Sequence, residues 1–274
     1  MKELTIRAIS GALYATLLIA SLFWSSALLV LLFIFGFVCL VEYSKLILLK
    51  AKTQYVIFAI LYFGFWYWCL VNDSLANGSN EGIQILLVTT IFVNLILIKD
   101  LFAEKRIPLF ESKRYITTTF YLSSGFVFLL LIANYEGTFS PLLLLGAFLL
   151  VWVNDSFAYM VGKNFGKQKL FPSISPKKTV EGFLGGLFFA CVASYFVAKY
   201  TETLTSNDWL LMAIIISVFG TLGDLIESKF KRQASVKDSG VIMPGHGGLL
   251  DRLDSIIFAA PFIYLFLRIL TYVS

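Results

Sequence analysis

Nine apolar blocks separated by short polar breaks run the length of this chain, at about 8–24, 27–48, 54–71, 83–98, 115–133, 140–161, 180–198, 207–226 and 250–270. Each comes close to the roughly 17 to 25 residues a helix needs to cross the hydrocarbon of a bilayer. The pattern predicts an all-α, polytopic membrane protein of about nine transmembrane helices. The least marked boundary is Trp24-Ser25-Ser26, because residues 8–41 hold no charge that would fix where one span stops and the next starts.

Composition agrees with the pattern. With 58% hydrophobic and 14% charged residues and a mean hydropathy of +0.83, the chain is too apolar for a soluble domain of 274 residues. Cys39, Cys69 and Cys191 sit apart within apolar segments, and the single histidine, His246, cannot complete a zinc set, so neither disulfides nor zinc are expected. Lys2 and Arg7 ahead of an apolar stretch imitate a secretory signal. No small-residue cleavage site follows, so the stretch reads as an uncleaved first span.

Charge fixes an orientation. With the N-terminus inside, 20 of the 22 Lys and Arg residues fall in inner segments, and only Lys199 and Arg268 fall outside. The positive-inside rule therefore supports nine spans with the N-terminus cytoplasmic and the C-terminus outside. The net charge of +5 becomes a property of the inner face, suited to anionic headgroups and polyanionic substrates. The connectors Asn72–Glu81 and Asn134–Ser140 carry little chemistry. Without repeats or a soluble appendage, residues 1–274 read as one membrane domain. Its N-terminal helices, 1–135, serve structure, lipid or dimer contacts, and its catalytic helices occupy 136–274.

Two polar constellations interrupt the hydrophobic chain after residue 150. An unpaired charge left in hydrocarbon costs about 2.5 kcal/mol or more, so such groups belong where water, a metal or an anion meets them. The first runs from Asn154 to Gly182. Asp155, inside an apolar helix, is either functional or paired with a loop lysine for structure. Ser175, Pro176 and Thr179 form a helix-start pattern, which with Lys177 and Lys178 is either a phosphate site or a capped helix flanked by lysines that set orientation. Gly162-Lys163 through Gly166-Lys167 fails the phosphate-loop spacing. Gly182 and Gly186 form a GxxxG pair, which reads as close helix packing.

The second constellation extends from Asp224 to Asp254. Asp224, Glu227 and Ser228 share one helical face, and Asp251 and Asp254 repeat the spacing at the start of the ninth span. Carboxylates from two helix ends on one side of a membrane make an oxygen-ligand site for Mg²⁺, which takes a few carboxylates together with substrate phosphates and water. Helix capping is the rival explanation for Asp251, but a cap does not account for Asp254, Asp224 and Glu227 as well. Between them, Pro244-Gly245-His246-Gly247-Gly248 leaves its backbone open to phosphate oxygens, a second anion cradle. His246 either donates to a phosphate or only fixes this loop. Lys229, Lys231, Arg232 and Lys237 exceed what orientation requires, and Arg252 can clamp a phosphate or pair with an aspartate. Metal ligands, anion cradles and cations without a Ser-His-Asp or Cys-His set suit phosphoryl or nucleotidyl transfer.

Ser228, Phe230, Lys231, Arg232, Lys237, Asp238, Gly240, Pro244, His246, Gly247, Gly248, Asp251, Arg252 and Asp254 together resemble the signature of the phosphatidate cytidylyltransferases, or CDP-diacylglycerol synthases. The upstream Asp155, Ala158, Tyr159, Gly162, Phe165-Gly166, Ser175-Pro176, Lys178-Thr179 and Glu181-Gly182 are similar to that family too. The likeness covers the C-terminal half, while the first 150 residues match only in hydropathy and span count. Met243 replaces another apolar residue, and Phe157 stands where a small one is expected, which bears on helix packing near Asp155.

The resemblance implies an enzyme of the bacterial inner membrane that joins CTP to phosphatidic acid, giving CDP-diacylglycerol and pyrophosphate at the cytoplasmic face. It implies a homodimer among membrane lipids, with no nucleic acid partner, and K⁺ beside Mg²⁺. On this reading Asp224, Asp251 and Asp254 hold Mg²⁺, with Asp155 and Glu227 as secondary candidates. Lys178, Arg252 and His246 join the three aspartates in catalysis. Ser175, Lys177, Thr179, Ser228, Lys229, Lys231, Arg232 and Lys237 bind substrate, and Gly245, Gly247 and Gly248 hold the triphosphate. The rival readings are a lipid kinase with another acceptor, and an organic-anion transporter. A transporter should show repeats and charge near the midplane, whereas here the charge gathers at the inner face.

Overall fold

Helical rods form at every apolar block in a computed structural model that describes residues 2–71, 81–103 and 105–273. They are α1 (Lys2–Ser21), α2 (Ser25–Leu46), α3 (Thr53–Trp66), α4 (Glu81–Phe102), α5 (Glu111–Thr117), α6 (Ser124–Ala133), α7 (Pro141–Phe165), α8 (Val180–Thr201), α9 (Ser206–Gln233) and α10 (Leu250–Val273). A π-helical segment, Thr118–Ser123, joins α5 to α6 into one rod, and another, Tyr67–Val71, extends α3. Seven of the rods are long and apolar enough to cross a membrane. The apolar part of α1, Ile9–Ser21, is shorter, and α3 has 14 residues before its π segment. The protein is thus an all-α, multi-pass membrane protein. The connector expected at Asn72–Glu81 lies outside the described residues except for Glu81, as do the side chains of Lys2 and Arg7.

Buried hydrophobic faces decide the packing order. The joined α5–α6 rod and α10 are the most enclosed rods, and Phe128, Phe258, Ile263 and Leu267 from this pair are fully shielded. Around them α7, α8 and α9 pack side by side. The α7–α8 contact rests on glycine, as the GxxxG spacing predicts. A methyl group on Gly182 would stand 2.8 Å from the Ala158 carbonyl oxygen, and one on Gly186 2.7 Å from that of Asn154. Phe157 does not disturb this seam, because its ring stacks on Phe189 of α8 with centroids 3.9 Å apart.

Two local features depart from the sequence-based picture. Residues 169–179 form an antiparallel hairpin of β1 (Lys169–Phe171) and β2 (Ser175–Thr179). Pro176 therefore lies in a strand, which its missing N–H permits at a sheet edge, rather than in the first turn of α8. The other departure is the length of α9, which runs seven residues past the expected end at 226. Lys, Phe and Arg sustain a helix, and α9 stops only where Ser235 turns left-handed at φ 58°. There Val236 N donates to the Lys231 carbonyl and Ser235 N to that of Arg232, the Schellman closure of a helix C-terminus.

Candidate active site

The extra two turns of α9 create a stripe. Asp224, Glu227, Ser228 and Lys231 fall at i, i+3, i+4 and i+7 and so face one direction, toward the first turn of α10. Asp254 projects from α10 into the same space. Asp224, Glu227 and Asp254 each offer an oxygen such that the three lie within 4.8 Å of one another. Ser228 Oγ donates to Asp224 Oδ1 at 3.2 Å. Asp254 Oδ1 accepts the N–H of Ser255 at 2.7 Å. Glu227 Oε1 is buried with no hydrogen-bond donor among the described residues.

Cations bound this cluster on two sides. Lys178 Nζ, on β2, lies 2.5 Å from Asp224 Oδ2. Burial works against its charge, but the Asp224 carboxylate more than offsets this, with Asp155 and Asp254 adding to it, so Lys178 titrates above the ordinary lysine value. Asp155 accepts from Asn154 Nδ2 at 3.2 Å and is close enough to Asp224 and Lys178 to feel both charges. On the other side Lys231 Nζ pairs with Glu227 Oε2 and with Asp251 Oδ1.

Asp251 is not a member of the three-acid cluster. Its Oδ1 accepts from Lys231 at 2.6 Å, and its Oδ2 faces Gly248 N at 2.8 Å, Ser239 N at 2.9 Å and Ser239 Oγ at 3.0 Å. Oδ2 thus holds the 238–248 loop against α10, while Oδ1 ties α10 to Lys231 of α9.

The glycine loop is also built differently from an open cradle. The N–H groups of His246 and Gly247 donate to the Met243 carbonyl, and that of Gly248 to Asp251. Of the glycine amides expected to meet phosphate, those of Gly247 and Gly248 are thus bonded within the protein. The loop's glycines serve conformation and close approach instead: Gly245 and Gly247 have φ of 75° and 90°. A Cβ on Gly247 would lie 2.8 Å from Asp251 Oδ2, and one on Gly248 2.1 Å from Ser239 Oγ. His246 Nδ1 stands 2.6 Å from Ser10 Oγ on α1, and Ser10 also donates to the Pro244 carbonyl at 3.0 Å. Arg252 Nη2 donates to the His246 carbonyl at 2.8 Å.

Two of the basic residues turn away. Lys229 Nζ caps the C-terminus of α4, donating to the carbonyls of Asp100 at 2.6 Å, Ala103 at 2.7 Å and Leu101 at 3.3 Å. Arg232 binds the Ile174 and Val236 carbonyls, fastening the hairpin to the end of α9. The N-terminus of α8 is closed as well, since Thr179 Oγ1 accepts from Gly182 N and the Gln168 carbonyl accepts from Val180 N. Ser175 pairs within the hairpin, while Lys177 and Lys237 are exposed.

Sequence reading missed Glu42. This buried α2 carboxylate accepts from Leu249 N at 3.2 Å, just ahead of α10, and from Leu250 N at 2.8 Å, the first residue of α10. Its signal was available, because Glu42 is the first charge after the uncharged stretch 8–41 and lies in an apolar block.

Comparison with known proteins bears on this geometry. The pattern that defines the cytidylyltransferase family matches residues 5–270. The chain is 50% identical over 126 residues to a phosphatidate cytidylyltransferase of Staphylococcus aureus (strain COL), a stretch covering 45% of this chain and 48% of that protein. The same name belongs to a Staphylococcus haemolyticus protein with 50% identity over 126 residues. It also belongs to one from Staphylococcus epidermidis (strain ATCC 12228) with 37% identity over 205 residues, covering 72% of this chain and 76% of that one. The chain thus spans about half the length of the first of these relatives, at 48%.

Proposed function

This chain belongs to the cytidylyltransferase family, and we propose that it transfers the cytidylyl group of CTP to phosphatidic acid, forming CDP-diacylglycerol and releasing pyrophosphate. The observation that carries the proposal is the convergence of Asp224, Glu227 and Asp254 from two helices within 4.8 Å, with Lys178 and Lys231 at its edges. The donor set fits Mg²⁺, being all carboxylate oxygen, and it includes the otherwise undonated Glu227 Oε1. Mg²⁺ bound there would neutralise charge on the triphosphate and polarise its α-phosphorus.

The chain's own residues account for the rest. A phosphate oxygen of phosphatidate is already a nucleophile, so no strong base is needed. It bonds to the α-phosphorus of CTP as the α–β anhydride breaks and pyrophosphate departs with the electron pair. What the protein must do is bring two polyanions together in line. Lys178, Lys177, Lys237 and Arg252 supply positive charge around the acids. Lys231 offsets Glu227 and Asp251, which keeps the acids from repelling the substrates. The folded glycine loop, with Asp251 and Ser239, acts as a rigid wall rather than a set of free amides. His246 anchors that wall to α1 through Ser10.

The excess of basic residues at one end supports placing the site at the cytoplasmic face of the bacterial inner membrane. Homodimeric assembly and K⁺ beside Mg²⁺ are carried over from the family resemblance as part of the same reading. Purified protein in detergent with CTP, Mg²⁺ and phosphatidate tests it. The expected result is metal-dependent pyrophosphate release that disappears in Asp254→Asn. Flux of organic anions across liposomes without turnover would overturn it.

A further inference from the structure

We propose that Glu42 is a positioning residue that sets α10 against α9, and so sets the spacing of the metal-binding acids. The inference rests on the reading of Asp224, Glu227 and Asp254 as a metal site. A helix leaves its first N–H groups without partners, and a Ser, Thr, Asp or Asn just ahead of it normally supplies an acceptor. Ahead of α10 stand Gly247, Gly248 and Leu249, which have none. The acceptor comes instead from a carboxylate on α2: Glu42 Oε1 faces Leu249 N at 3.2 Å, and Oε2 faces Leu250 N at 2.8 Å.

The surroundings are shaped for this carboxylate. A Cβ on Gly240 would stand 2.2 Å from Glu42 Oε1, and one on Gly248 2.6 Å from Oε2. Ser239 Oγ lies 3.2 Å from Glu42 Oε2 and 3.0 Å from Asp251 Oδ2, with one proton to offer either. Asp251 continues to Lys231, and Lys231 to Glu227. A continuous polar chain therefore runs from α2 through the loop to the acid stripe of α9. Asp254 lies one helical turn beyond Asp251, so the height and rotation of α10's first turn decide whether it meets Asp224 and Glu227. Glu42 is only 2% exposed, so water cannot substitute for it.

The test is Mn²⁺ binding to the metal-free protein in detergent, followed by electron paramagnetic resonance, with thermal unfolding measured alongside. Glu42→Gln exchanges one acceptor oxygen for a donor and is expected to weaken Mn²⁺ binding about ten- to a hundredfold, the range typical of groups supporting metal ligands. Its unfolding midpoint should stay near that of the wild type, and Glu42→Asp should recover part of the affinity. A role in folding alone would lower the midpoint and leave the affinity of the folded fraction unchanged, which overturns the proposal. If Glu42→Gln does not fold, the shorter Glu42→Asp is decisive, because it keeps the charge but draws both oxygens back from Leu249 N and Leu250 N, and wild-type affinity in that folded variant overturns the proposal. Absence of Mn²⁺ binding in the wild type would overturn the metal reading and this one together, whereas binding that Glu42→Gln leaves unchanged overturns this one alone.

Discussion

Lys231 on α9 reaches Asp251 on α10 with Nζ 2.6 Å from Oδ1, and the same ammonium pairs with Glu227 one turn back in its own helix. One buried cation thus ties together the two helices that carry the acid cluster. Removing it would strand two carboxylates in a low-dielectric setting, and breaking a buried pair in this way costs about 3–5 kcal/mol. Lys231→Met is therefore expected to lower the unfolding midpoint in detergent markedly and to abolish pyrophosphate release. Near-normal stability in that variant would mean the pair is solvated.

The acid cluster itself is tested by conservative amides. Asp224→Asn and Asp254→Asn each keep shape but remove a charged oxygen ligand, and should reduce turnover by more than about a hundredfold, beyond the loss typical of supporting residues. Chelation with EDTA should silence the wild type, and added Mg²⁺ should restore it. Asp251→Asn is expected to act differently, disordering the 238–248 loop and lowering thermal stability as well as rate, because its oxygens hold Gly248, Ser239 and Lys231.

Gly247→Ala probes the loop wall. At φ 90° an L-residue costs about 1–2 kcal/mol, and here the new methyl would also press on Asp251 Oδ2 from 2.8 Å. Turnover should fall more than tenfold, on the order expected for loss of this energy from the site (1.4 kcal/mol per factor of ten). A wild-type rate would show that the loop tolerates displacement.

Ser10 and His246 separate anchoring from chemistry. If the histidine only fixes the loop, Ser10→Ala and His246→Ala should produce losses of similar size, each near the ~0.5–1.5 kcal/mol of one hydrogen bond. A far larger loss in His246→Ala, measured as kcat/KM for CTP, would assign the imidazole to substrate.

Lys178 has a defined pH signature. Because its folded value is raised, the pair with Asp224 contributes fully below the ordinary lysine range and is lost only as pH rises through the higher folded value. No lysine limb from this residue should therefore appear between about pH 7 and pH 9 in the activity profile, well below the ordinary lysine value. A descending limb in that range that disappears in Lys178→Met would contradict this.

Much of this protein is determined by sequence order alone. Apolar length and helical period act within one segment, so the rods from α2 to α10 arise where the hydrophobic blocks lie, and the Gly182–Gly186 spacing already specifies a tight seam. The acid face of Asp224 and Glu227 is equally local. Extending the same period to Lys231 would have separated it from Lys229, which lies two residues, or about 200°, around the helix. What only the tertiary structure decided is which partner each polar group takes. Lys229 goes to the end of α4, Arg232 to the hairpin, and Asp251 to the loop, while Ser10 and Glu42 enter from helices more than two hundred residues away. A charge in an apolar setting must find some partner. Its identity depends on which helices become neighbours, and that follows from the packing of whole faces rather than from the residues beside it in sequence.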